Sequence, residues 1–479
     1  MKNEKYKKII LNNKNNTFIF YNIFYKCFLL NCIIFIALYF IKKYIKTQNF
    51  ICKENYLNLQ KRLKIKFYNK IINKIRIGIF THSLRNGGIQ RMSALLINYL
   101  YKTNIFNLYL FSQKNKQTEE FFIPNDIKRI FIPKNKFNNI FKEINRKKID
   151  ILIFQFPYDY AIHLLNNLKK IKIIYFQHYS LFYWIYRNYS CFNSIYKEYQ
   201  NSKYIVSLVP FENDYLFEKW GIRSIFMNNF ITFKYNYVIP SDLSAKDILM
   251  IGRSHDKFKR LDLGLLAMEY IINEIPDYEM IVICNITNNH NLRMISNILN
   301  LGNAIKFVGY TSIPEIYYRN STLHIFPSIS ESFGLVLSEA KIYGIPSILV
   351  GLDYVSISKG GTYIIFDDKP ETIAIEAIKI LKDEEYKIKL ANEARNNMLK
   401  YDNEILLEKW VKLILAIYNG DNYYEELRNK EKKLDKEFLI NILTNQLKLL
   451  KMRDEQFKNI TVDKFLNFTY LKSLNIKQF

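Results

Sequence analysis

Turn-forming residues are scarce in this chain, with 14 Gly and 10 Pro among 479 residues. That scarcity excludes collagen-like and Pro/Gly-rich low-complexity classes. Cysteine is scarcer still. The five, at positions 27, 32, 52, 191 and 284, are odd in number, scattered and never in a CxxC pair. Neither a disulfide framework nor a zinc site is expected, and the folded part reads as belonging to a reducing compartment. No HExxH occurs, nor GxGxxG or GxxxxGK[ST], which argues against zinc proteases, dinucleotide oxidoreductases and P-loop enzymes. What is present is 49% hydrophobic and 24% charged, a globular balance long enough for two α/β domains.

Negative charge is also in short supply, with 44 acidic against 70 basic residues and a net charge of +26. Its distribution decides what it means. Residues 1 to 75 hold 16 Lys/Arg against Glu4 and Glu54, so over half of the excess lies in a sixth of the chain. The apolar run TFIFYNIFYKCFLLNCIIFIALYFI (17–41) lies in the same segment. A basic flank beside an apolar stretch points to anionic lipid headgroups rather than to nucleic acid. The run has the roughly 20 residues that a membrane crossing takes, although Asn22, Lys26 and Asn31 interrupt it. Three readings stay open: a spanning helix, an interfacial one, and a soluble helix or spurious upstream start. The larger basic flank follows the run, so the body is expected on the cytoplasmic side of the inner or plasma membrane.

From Arg76 onward, short apolar runs alternate with amphipathic segments, the pattern of parallel sheets with crossover helices. One set comprises IRIGIF (75–80), IDILIFQF (149–156), IKIIYFQ (171–177) and KYIVSLV (203–209). A second comprises DILMIG (247–252), YEMIVIC (278–284), AIKFVG (304–309), TLHIFP (322–327) and PSILVG (346–351). Between them, 230–247 reads as a linker. The expected organisation is a basic anchor segment (1–73), a first Rossmann-like domain (74–232), a second (233–403), a helix returning to the first (404–420) and a charged helical tail (421–479). Within the tail, FLINILTNQLKLLKM (438–452) carries apolar residues at helical spacing. It either packs on its own body or docks on a membrane or partner. Two doubly wound domains joined once would face their strand carboxyl ends across a cleft, where ligands bind.

Three clusters lie at such strand ends. In IFPSISESFGLVLSEAKIYGIPSILV (325–350), seven residues separate Glu331 from Glu339, and a helix is expected near Gly334. Glycine there lets N–H groups approach a phosphate at the positive helix end, and Glu339 could bond a vicinal diol such as ribose. In MIGRSHDKFKRLD, Arg253 follows a strand directly and offers a fork for phosphate oxygens, with Lys257 and Lys259 behind it. In IRIGIFTHSLRNGGIQRM, Gly87 and Gly88 sit between strand and helix, ahead of Arg91, which either reaches the cleft or caps structure. His178 ends the strand IKIIYFQ and is either a cleft residue or a satisfied core histidine; His82 is a weaker candidate.

The 325–350 stretch resembles the signature of glycosyltransferase family 4: a Glu, seven intervening residues, a second Glu, and FG after the first. The Gly-Arg at 252–253 with a following lysine, and the GGxxR loop at 87–91, are similar to the family's other motifs. The resemblance covers roughly residues 74 to 418. It implies an α/β GT-B fold, two doubly wound Rossmann-like domains facing across a cleft, here with an N-terminal membrane-associated helix and a C-terminal helical appendix. By the same resemblance, Glu331 would contact donor sugar hydroxyls and Glu339 the ribose. Phe333, Gly334, Leu335 and Val336 would offer amides to a diphosphate, with Arg253, Lys259, Gly87 and Gly88 beside it. The match of KRLD favours Lys259 over Lys257. His178 would stand near the reacting centre. One departure is visible: GLDYVSISKGGTYII (351–365) lacks the Glu of the family's Gly-Gly-x-x-Glu loop, which puts donor contacts from that loop in doubt.

The implied activity is retaining transfer of a hexose or N-acetylhexosamine from a nucleotide sugar, UDP-linked in the family's commonest cases. The acceptor would be a glycan or lipid-linked glycan of surface polysaccharide or lipooligosaccharide biosynthesis. No Asp-x-Asp occurs, so no metal and no further cofactor is expected. Two other readings are a GT-B nucleotide-sugar epimerase or hydrolase, and a noncatalytic membrane-associated scaffold.

Overall fold

The computed structural model describes residues 74 to 453, apart from 86, 156–158, 167, 169–170, 188–195, 197–198, 255, 286–289, 312 and 431–435. The basic segment 1–73 with its apolar run, and the tail beyond 453, lie outside the described residues. Among the described residues no helix is long and apolar enough to cross a membrane.

Seven strands form the first sheet: β1 (Ile75–Thr81), β2 (Phe106–Ser112), β3 (Lys128–Phe131), β4 (Ile151–Phe154), β5 (Lys172–Gln177), β6 (Tyr204–Ser207) and β7 (Ser224–Phe226). Their order is β3-β2-β1-β4-β5-β6-β7, and every pairing is parallel. The second sheet holds β8 (Asp247–Ile251), β9 (Glu279–Ile283), β10 (Ile305–Val308), β11 (Ser321–Phe326), β12 (Ser347–Val350) and β13 (Thr362–Ile365), in the order β10-β9-β8-β11-β12-β13. It too is parallel throughout. Parallel sheets covered by helices on both faces demand strands apolar on both sides, and β4, β6, β11 and β12 are buried at every residue. In each sheet the strand order reverses beside the first strand, β1 or β8, and such switch points open crevices at the strand carboxyl ends.

The chain crosses between the domains more than once. Helix Asn403–Asn419 returns to the first domain, where Asn403 accepts from the Ile231 N–H at 2.8 Å and donates to Tyr99 Oη at 2.8 Å. Trp410, fully buried on that helix, meets Phe176 of β5 edge-on at 5.2 Å. Helix Tyr423–Lys430 stays there: Tyr424 Oη accepts from the Ile205 N–H and donates to the Arg223 carbonyl, 2.9 Å each. Helix Lys436–Arg453 then packs on the second domain, with Leu449 inside that domain's core beside Ile348, Val350 and Ile365. The face of Ile442, Leu443, Leu447, Leu449 and Leu450 is therefore spent on the chain's own body, while Phe438, Ile440 and Met452 of the same helix are exposed.

Candidate functional site

The site is built where the carboxyl ends of β1, β5, β8 and β11 meet. After β11 the chain runs through Ser330–Gly334 and turns into helix Leu335–Ile342. The turn is made by Gly334 at φ +80°, a left-handed conformation that a side chain would strain. No side chain caps this helix. Its first N–H groups therefore remain available to an anion, at the end carrying about half a positive charge. From the first domain, helix Gly88–Lys102 also begins on glycine without a side-chain cap. The two starts face each other: a Cβ on Gly88 would stand 3.6 Å from Leu335 Cδ1.

Charged side chains flank this pair of helix ends. Lys259 ends a short 3-10 turn after β8, and its Nζ donates to Glu331 Oε1 at 2.5 Å. Arg91, one turn into helix Gly88–Lys102, pairs with Glu339 across the cleft. Thr232 Oγ1 donates to the same Glu339 oxygen at 2.8 Å, and Tyr318 Oη to the other at 2.7 Å. The Glu339 carboxylate beside Arg91 raises that guanidinium's already high pKa, while burial holds Tyr318 well above the usual phenol range.

Neutral contacts complete the junction. Ser332 Oγ donates to the His178 carbonyl at 2.6 Å, Ser180 and Ser330 share a hydroxyl bond of 2.7 Å, and Tyr354 Oη accepts from the Glu331 N–H at 3.2 Å. His178 Nε2 donates to Gln155 Oε1 at 3.0 Å, and its ring lies 4.2 Å from Phe176. Burial pushes the imidazole down to about 3, so it is neutral under ordinary conditions. Nearby Glu212, at the first turn of helix Pro210–Trp220, accepts from the Leu181 N–H; burial pushes its carboxyl up to about 8.

Most of the residues singled out from the sequence meet here, with one difference. Gly87, Gly88, His178, Lys259, Glu331, Phe333, Gly334, Leu335, Val336 and Glu339 belong to one junction, Phe333 by its backbone, since its ring is buried. Glu339 is not presented as an open acceptor for a diol. Its side chain is 2% exposed and both oxygens are engaged, because Arg91, Thr232 and Tyr318 converge on it. Arg253, at the carboxyl end of β8, is 57% exposed and pairs with Asp256 at 2.5 Å, three residues along its own loop. Lys257 opens the same 3-10 turn as Lys259. His82 bonds Gln113 at 2.9 Å in the loop after β1. Thr232, Tyr318, Tyr354 and Ser180 carried no signal in the sequence, being common residue types outside the motifs, and Ser330 stands beside Glu331 without being one of the signature's fixed residues.

A family model described as glycosyl transferases group 1 matches residues 236–397. Those residues form a group 1 glycosyl transferase domain. The group 1 domain thus contains the second sheet, Lys259 and both glutamates. Among curated proteins, an uncharacterized glycosyltransferase of Haemophilus influenzae is 23% identical over 183 residues, 36% of this chain and 52% of the relative. The Bacillus subtilis poly(glycerol-phosphate) alpha-glucosyltransferase is 25% identical over 181 residues, 37% of this chain and 25% of that protein. The chain thus spans about half or less of the length of these relatives. Among solved structures, sucrose-phosphate synthase from Thermosynechococcus elongatus superposes with a TM-score of 0.61 at 14% identity, covering 73% of this chain and 100% of that one. Anabaena HepE in complex with UDP and glucose gives 0.60 at 12%, covering 71% and 99%. The group 1 domain and the domain before it together have the two-sheet GT-B architecture of these neighbours.

Proposed function

We propose that this chain is a glycosyltransferase that moves a hexose or N-acetylhexosamine from a UDP-sugar to a glycan or lipid-linked glycan, with retention and without a metal. The observation that carries this reading is the meeting of two uncapped helix starts, at Gly88 and Leu335, beside Lys259 and Arg91. A departing nucleoside diphosphate gains negative charge as the bond to the sugar lengthens. Fixed N–H dipoles and cations aimed at that charge stabilise the transition state more than the ground state. The same groups can do the neutralising that other enzymes assign to a metal.

The step breaks the bond between the sugar's anomeric carbon and the β-phosphate oxygen, which keeps the electron pair. The acceptor hydroxyl oxygen bonds the same carbon, and its proton passes to the departing phosphate. Glu331 contacts the sugar hydroxyls, steered by Lys259 and by Tyr354 at its backbone. His178, being neutral, serves as a hydrogen-bonding group and not as an acid. Donor choice is supported by HepE, whose solved complexes contain UDP and UDP-glucose. Acceptor class is supported by the curated poly(glycerol-phosphate) relative, which fits surface polysaccharide or lipooligosaccharide synthesis.

The test is UDP release from UDP-glucose and UDP-N-acetylglucosamine in EDTA, with and without a glycan acceptor. Acceptor-dependent release is expected. Release without acceptor would identify a hydrolase, and no release or binding of UDP would remove the enzymatic reading.

We further propose that the chain works at an anionic membrane surface, with its catalytic domains on the cytoplasmic side. Support comes from the basic 1–75 segment with its apolar run and from exposed Lys128, Lys134, Lys136, Lys142 and Arg146 on the β3 edge of the first domain. Co-flotation of the full chain with phosphatidylglycerol vesicles, but not with phosphatidylcholine vesicles at the same salt, is the expected result.

A further inference from the structure

Helix Lys436–Arg453 lies beyond the residues matched by the family, yet its polar side chains are aimed at the loops that carry the site. Gly351, just after β12, is held at φ +67°, and a Cβ there would fall 2.0 Å from Leu449 Cδ1. The helix therefore occupies the space that a side chain at 351 would need. Gln446, fully buried, donates from Nε2 to the Gly351 carbonyl. Asn445 donates to Asp353 Oδ2 at 3.1 Å. At the end of the helix, Arg453 grips Asp368 with two bonds, at 2.9 and 3.0 Å. That pair is almost closed to solvent, at 8% and 11% exposure. Burial alone would push the Asp368 carboxyl up, but its bonds to Arg453 and Arg260 prevail and hold it below the usual range.

Two short chains of contacts lead from these anchors to Glu331. In one, the anchored loop Gly351–Asp353 continues into Tyr354, whose Oη accepts from the Glu331 N–H. In the other, Asp368 accepts from Arg260 at 2.5 Å, and Arg260, in a left-handed conformation, is the residue next to Lys259, which holds the Glu331 carboxylate. One helix thus reaches both the backbone and the side chain of Glu331. A helix that only covered core would need Leu443 and Leu449 and none of these polar grips.

We propose that Gln446 and Arg453 are positioning residues for Glu331 and Lys259, so that helix Lys436–Arg453 is a working part of the donor side of the cleft. The inference rests on the proposed transferase reading. Its consequence is graded: Glu331 is assigned to the sugar and not to the nucleotide, so loosening it alone, from Gln446, should spare nucleotide binding and lower turnover, whereas loosening Lys259 as well, from Arg453, should also weaken UDP. Displacement of a catalytic group by a fraction of an ångström is enough for such losses.

The experiment compares wild type with Arg453→Met, Arg453→Lys, Gln446→Leu and the core control Leu443→Ala. It reads kcat for UDP release from UDP-sugar and the Kd of UDP, well below each variant's melting temperature. Gln446→Leu should lower kcat about tenfold or more with the Kd of UDP unchanged within about twofold, and Arg453→Met should lower kcat as far while also weakening UDP. Arg453→Lys, which keeps the charge but loses the fork, should recover part of the loss. Leu443→Ala should melt earlier at unchanged kcat. Turnover in both polar variants matching that of Leu443→Ala would overturn the inference, as would a loss in Gln446→Leu carried wholly by UDP affinity. Gln446→Leu leaves the ion pair intact and decides the matter if Arg453→Met does not fold. A wild-type chain that neither binds UDP nor releases it from a UDP-sugar would defeat the transferase reading itself, and this inference with it.

Discussion

The two walls of the cleft are made of different chemistry. The second domain presents charge: Lys259 on Glu331, with the Glu339 carboxylate reaching across to Arg91. The first domain, Arg91 aside, presents buried groups kept neutral by desolvation: His178 pushed down to about 3 and Glu212 pushed up to about 8, with Ser180 and Gln155 between strands and loops. The lesson is a division of labour. A diphosphate leaving group requires fixed positive potential on one side, whereas placing an uncharged acceptor hydroxyl requires shape and directed hydrogen bonds, which cost less when no ion is buried.

The comparison can be broken most severely at Lys259. Lys259→Ala should lower kcat/KM about a thousandfold while circular dichroism and melting temperature change little, the scale found for removing one preorganised electrostatic partner. A loss under tenfold would mean that the charged wall is not what drives the reaction.

Lys341 is the informative exception within the charged domain. Its Nζ is buried and donates to the Ile357 and Lys359 carbonyls and to Asn397 Oδ1, so it pins the loop after β12; burial pushes it down to about 7. A base whose folded pKa lies below its unfolded value binds fewer protons when folded between those two values. Stability should therefore rise with pH from about 7 toward 10. Lys341→Met should remove that rise and, by leaving buried acceptors without their donor, cost about 3 kcal/mol at pH 9 and less at pH 6, by urea unfolding.

Glu212 tests the neutral wall with the opposite sign. Its folded pKa lies above the ordinary carboxyl value of 4.5, so the folded state binds the extra proton and stability falls as pH rises toward 8. Glu212→Gln should flatten that fall, worth about 2 kcal/mol between pH 5.5 and 7.5. Parallel curves would show that the site is not held neutral.

The smallest effect is expected at His178. His178→Gln should lower kcat about tenfold, the scale of one hydrogen bond, and the wild-type pH profile should show no limb from this residue between pH 5 and 8. A limb near pH 6.5 that disappears in the variant would put a titrating acid on the wall described as neutral.

How much of this was legible follows from the same division. Continuous apolar runs such as IRIGIF, DILMIG and TLHIFP announced strands, because a parallel strand buried on both faces has no room for alternation. Four strands escaped. Lys128–Phe131 and Ser224–Phe226 are edge strands of four and three residues, Thr362–Ile365 follows two glycines at another edge, and the apolar residues of Phe106–Ser112 merge with the end of the preceding helix. Charged residues at strand ends were legible as a site. Arg253 was placed in it by its position after a strand, and the partner it has, Asp256, lies three residues on in the same loop. Thr232 and Tyr318 lie 107 and 21 residues from Glu339, and only the folded chain brings them to its oxygens. The role of the tail was open for the same reason: helical spacing shows an apolar face but not which surface covers it.

The central claim is that the groove between the two sheets holds a nucleoside diphosphate by fixed charge and amide dipoles. Calorimetric titration of the full chain with UDP in EDTA, at low and at moderate salt, tests it directly. One site per chain, weaker binding at the higher salt and loss of binding in Lys259→Ala are expected. UDP that does not bind, or that binds Lys259→Ala as tightly as wild type, would contradict it.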